Sequence, residues 1–85
     1  MVIRETETSM PLPCAPPGQV MEISTIIGGH GLCQKLTSMG IIPGSCIKVN
    51  EGHRSGPLII DIKGSRIALG CGVAQKIMVK ERKDG

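Results

Sequence analysis

The chain is 85 residues long, carries a net charge of +3 and contains no Phe, Tyr or Trp; such a length holds one domain and one small core, burying only about 60% of the unfolded surface. The missing rings exclude an aromatic groove for proline-rich peptides and the platforms on which single-stranded bases stack. Lys and Arg are scattered from Arg4 to Lys83 instead of forming a stripe, so the mild basicity describes an ordinary solvated surface and nucleic acid is not an expected partner.

Residues 1–9 are polar and charged without periodicity and read as a tail, followed by a single domain over 10–81 and a short tail over 82–85. The core must come from Ile, Leu, Val, Met and Ala, and the β-branched members favour pleated surfaces. Pro16, Pro17 and Gly18 open a first strand over 19–27, in which Met21 and Ile23 alternate with Glu22 and Ser24 up to the corner at Gly28 and Gly29. Over 31–39 the period changes: Leu32, Leu36 and Met39 recur at helical spacing while Gln34, Lys35 and Ser38 face elsewhere. Gly40 suits a left-handed helix end, and Pro43-Gly44 suits a type II turn.

A second strand is predicted from about Ser45, with Ile47 and Val49 inward, then a polar loop over 51–56 and a third strand with Leu58, Ile60 and Ile62 on one face. Gly64 and Ser65 turn the chain into a strand over 66–69, and a short helical turn over 73–76 leads to a closing strand over 77–80. The expectation is a mainly β domain: a small five-stranded barrel with one short α-helix after the first strand and a short helical turn before the last.

Residues capable of chemistry are few. Cys14, Cys33, Cys46 and Cys71 include no CxxC pair and follow no signal peptide, which predicts reduced, small, buried thiols in a cytoplasmic protein. The apolar runs are all far short of the roughly 20 residues that span a bilayer, so no direct membrane insertion is expected. His30 and Cys33 stand one helical turn apart, but no third group orients them and no enzyme is predicted. The same pair supplies two ligands where a structural zinc takes four, and Cys46, His53 and Cys71 do not complete a closed spacing, so neither metal nor other cofactor is expected. Glycines 28, 29 and 31 precede a helix as in an anion cradle, yet no GxxxxGK followed by Ser or Thr is present.

The run Gly28-Gly29-His30-Gly31-Leu32, then Leu36-x-x-Met39-Gly40-Ile41-x-Pro43-Gly44, then Gly56-Pro57-Leu58 and Lys63-Gly64-Ser65-Arg66-Ile67-Ala68-Leu69 resembles the ferrous iron transport protein A (FeoA) family, over roughly residues 10–80. The departure is at 70–73, where the family usually carries charged residues and this chain reads Gly-Cys-Gly-Val. The resemblance implies an SH3-like barrel and a cytoplasmic accessory role in ferrous iron uptake. In that role the domain docks on and modulates the G-protein domain of an FeoB-type membrane transporter. The rival reading is an SH3-like regulatory module akin to the C-terminal domain of iron-dependent repressors; no DNA-binding helical region accompanies the chain. Lys35, Ser38, Met39, Ile41 and Arg54 are the expected partner contacts, and a weak homo-oligomer is left open.

Overall fold

Alternation of apolar and polar residues decides which way each strand faces. The computed structural model describes residues 9–50 and 56–82. Its strands are β1 (Met10–Pro11), β2 (Val20–Ile26), β3 (Cys46–Val49), β4 (Leu58–Ile62), β5 (Ser65–Leu69) and β6 (Ile77–Glu81). They form one sheet in the order β1-β6-β2-β3-β4-β5, every neighbouring pair antiparallel. Helix α1 (His30–Ser38) joins β2 to β3, the short α2 (Cys71–Ala74) joins β5 to β6, and a 3-10 turn occupies Leu12–Cys14.

The five predicted strands are all present, and β1 is a sixth. Its two residues, paired as Met10 with Val79 and Pro11 with Met78, are too short for alternation to reveal. Pro11 is tolerated there because β1 lies at an end of the sheet, where one side of the strand needs no N–H. The final turn before β6 also moves: α2 starts at Cys71 instead of near Val73, because the Gly70 carbonyl accepts the N–H groups of both Val73 (3.1 Å) and Ala74 (2.9 Å).

One core holds the sheet and helix together. Met21 and Ile23 of β2, Ile47 and Val49 of β3, Leu58, Ile60 and Ile62 of β4, and Ile77 and Val79 of β6 are buried, and Leu36 of α1 and Ile41 join them. Of these, Met21, Ile23, Ile47, Val49, Leu58, Ile60, Ile62 and Leu36 are the residues the period-two and helical patterns placed inward. A bulge at Ser24 shifts the β2–β6 register between Ile23 and Thr25 and tightens the twist. The Ser24 hydroxyl is used there, donating to the Met78 carbonyl at 3.3 Å and sharing a 2.8 Å bond with Ser9.

The β4–β5 hairpin turns on Lys63 and Gly64, not on Gly64 and Ser65. Ile62 pairs with Ser65, and the two residues between them have φ of 51° and 78°. Positive φ at both central positions makes the tight turn whose twist matches that of the strands.

Candidate docking surface

Helix α1 places the predicted contact residues. Its start is set by close packing: Gly28 lies so near Leu32 that a Cβ there would come within 2.7 Å of Leu32 Cδ2. Leu36 is buried and Leu32 and Met39 pack half-buried on the core. The opposite side, with Gln34, Lys35, Thr37 and Ser38, is exposed. His30, Cys33, Gln34, Thr37 and Ser38 line a shallow open groove along it. Lys35 lies in the last turn, where a cation is favoured by the helix dipole.

The helix ends in a rigid motif. Gly40, at φ 87°, donates its N–H to the Thr37 carbonyl (2.9 Å), and Ile41 donates to the Leu36 carbonyl (2.9 Å). That pair of bonds is the Schellman arrangement, and it brings the second residue beyond the helix against its last turn. The next turn follows at once: Gly44 has φ 93°, and the Ser45 N–H reaches the Ile42 carbonyl at 3.1 Å, as a type II turn on Pro43-Gly44 demands.

This geometry sorts the expected contacts. Lys35 and Ser38 are exposed on the same turn, the Ser38 hydroxyl donating to the Lys35 carbonyl at 2.7 Å. Met39 is half-buried, with part of its side chain at the surface. Ile41 is a correction: it is 0% exposed, because the Schellman bond folds it onto Leu36, so it supports the surface from beneath and cannot touch a partner. Its half-buried neighbour Ile42 holds the outward position beside Pro43 and Gly44. Arg54 and His53 lie outside the described residues. Gln34 and Thr37 were not among the expected contacts, although their place on the polar face follows from the same helical spacing.

The cysteines also differ from expectation. Cys14, Cys46 and Cys71 are exposed, Cys33 is half-buried, and all four are free. The reason is position: Cys46 occupies an outward site of β3, Cys71 starts α2 and Cys14 ends the 3-10 turn. Cys33 donates weakly to the Gly28 carbonyl (3.9 Å) and Cys71 to that of Gly56 (3.5 Å). Among the described residues no group of three or more His, Cys, Asp or Glu side chains is arranged to hold a metal ion, and no helix is long and apolar enough to cross a membrane.

On the far side of the sheet, Asp61 accepts from Arg66 Nε (3.1 Å) and from the Asn50 amide (3.1 Å). The hydrogen bonds from Arg66 and Asn50 hold its carboxyl below the usual aspartate range.

Comparison with known proteins follows this architecture closely. The FeoA domain family profile matches residues 10–81. A protein of Methanocaldococcus jannaschii named as a candidate Fe(2+) transport protein A is 45% identical over 75 residues, which is 88% of this chain and 90% of the relative. A crystal structure of an iron uptake regulatory protein (FeoA) superposes with a TM-score of 0.77 at 44% identity, covering 86% of this chain and 97% of that one. A manganese-dependent transcriptional repressor shares the fold alone, with a TM-score of 0.79 at 22% identity; 91% of this chain matches 44% of the repressor.

Proposed function

The chain belongs to the FeoA domain family, and from that membership we propose that it is a small accessory protein of ferrous iron uptake, acting in the cytosol by docking on the G domain of an FeoB-type transporter. The role is non-enzymatic. The chain has no GxxxxGK motif to bind nucleotide, so any GTP chemistry belongs to the partner.

The observation that carries the docking reading is the end of α1. There a free-facing Lys35 and Ser38 stand beside the partly covered apolar Met39 and Ile42, on a segment held by the Schellman and type II turns. A preorganised apolar patch with a cation at its rim suits a complementary protein surface. Lys35→Glu changes stability in urea by no more than about 0.5 kcal/mol and weakens capture of the transporter's cytosolic domain. Undiminished capture removes this face as the contact.

The repressor's matching fold supports the second reading, a regulatory module that serves a DNA-binding protein. Affinity capture separates the two. Recovery of a membrane protein with a G domain favours the transport reading, and recovery of a DNA-binding repressor favours the other.

A further inference from the structure

The two ends of this sheet are finished differently. The end at β1 is two residues long, has Pro11 within it and is followed by Pro13, and short length and proline are devices that keep a sheet edge from pairing. The end at β5 has neither: five residues, Ser65-Arg66-Ile67-Ala68-Leu69, without proline or bulge.

The phase of its backbone follows from the turn. In a two-residue hairpin of this type the flanking residues, here Ile62 and Ser65, form the hydrogen-bonded pair. Counting on, the peptide groups of Ser65, Ile67 and Leu69 face β4, and those of Arg66 and Ala68 face out of the sheet. The Arg66 guanidinium does not screen them, since it leans back over β4 to Asp61 at 3.1 Å. Ala68 is small and exposed.

We propose that β5 pairs with β5 of a second copy of this chain, antiparallel about a twofold axis through Ile67. This register is self-complementary, as a twofold contact requires. Arg66 meets Ala68 of the second copy, the outward peptide groups of both residues are used twice over, and Ile67 meets its own counterpart. Centring on Arg66 instead sets two guanidinium groups opposite each other, which costs energy. Centring on Ala68 pushes Arg66 past the end of the opposing strand. A five-residue edge buries far less than the roughly 1,200 Å² of a stable interface, so the association is weak and appears only at high concentration.

The test is sedimentation and backbone amide spectra of the whole chain from about 0.05 to about 2 mM. Reversible dimer formation is expected, with shifts and slowed solvent exchange confined to Arg66 and Ala68. Two variants at an exposed position that leave the monomer intact give opposite signs. Ala68→Lys sets like charges against Arg66 and lowers the association constant about fivefold, and Ala68→Glu sets opposite charges and raises it about fivefold. A single monomeric species at every concentration overturns the proposal. So does movement of the two variants in the same direction, or protection of these amides only when a different protein is added.

Discussion

At position 41 an isoleucine that follows a helix is drawn into the core by a single backbone bond to Leu36. Ile41 and Lys35 therefore separate structure from recognition within one short segment. Ile41→Ala removes a fully buried side chain and is expected to cost about 2–5 kcal/mol in urea unfolding, whereas Lys35→Glu at an exposed site changes stability by no more than about 0.5 kcal/mol. Asp61 makes a different kind of residue-level statement. Its carboxyl titrates lower in the folded chain than in the unfolded one, through its bonds to Arg66 and Asn50. Its contribution to stability is thus present above the unfolded value, about 3.9, and is lost as pH falls through the lower folded value. Asp61→Asn is expected to be less stable than the parent at neutral pH, with the difference shrinking below about pH 4; a difference that does not vary with pH would show that Asp61 acts by packing alone.

Among the elements, the β4–β5 hairpin shows how a turn overrides the chemistry of its residues. Lys63 is the one non-glycine with positive φ among the described residues, a conformation that crowds a Cβ. The geometry favours Asn-Gly. Lys63→Asn is expected to raise the thermal midpoint, with a gain of up to about 1 kcal/mol, and Gly64→Ala to lower it. Helix α1 is the contrasting case, since its nine residues are too few to be stable alone in water. Leu32, Leu36 and Met39 hold it to the sheet, and the Gly40 end secures its last turn. Its polar face remains available because the apolar stripe is narrow.

Across the whole molecule, the core closes around aliphatic side chains and leaves every cysteine out of it. Alkylation of the folded chain is therefore expected to modify Cys14, Cys46 and Cys71 quickly and Cys33 more slowly, without change in far-ultraviolet circular dichroism. Mass spectrometry of peptides after brief labelling checks the order, and labelling that required denaturant would contradict the exposed positions. The sheet places its two ends under unlike protection, so solubility at high concentration depends on β5 more than on β1.

Much of this was readable from the chain. Alternation at Met21 and Ile23, Ile47 and Val49, or Leu58, Ile60 and Ile62 identifies strands and their inner faces, because a one-residue slip would expose every one of them. Gly40 and Gly44 likewise mark their turns, since each needs a positive φ that side chains resist. The Gly40 helix end and the β3 alternation also place Ile41 inward and Cys46 outward by local means. Other features depend on partners distant in sequence and carry no local pattern: the pairing of Met10 and Pro11 with β6 and the opposite finish of the two sheet edges. Local periodicity determined which residues face inward, and only the tertiary arrangement decided what each outward residue stands beside, because exposure and edge position are properties of neighbours brought together by folding.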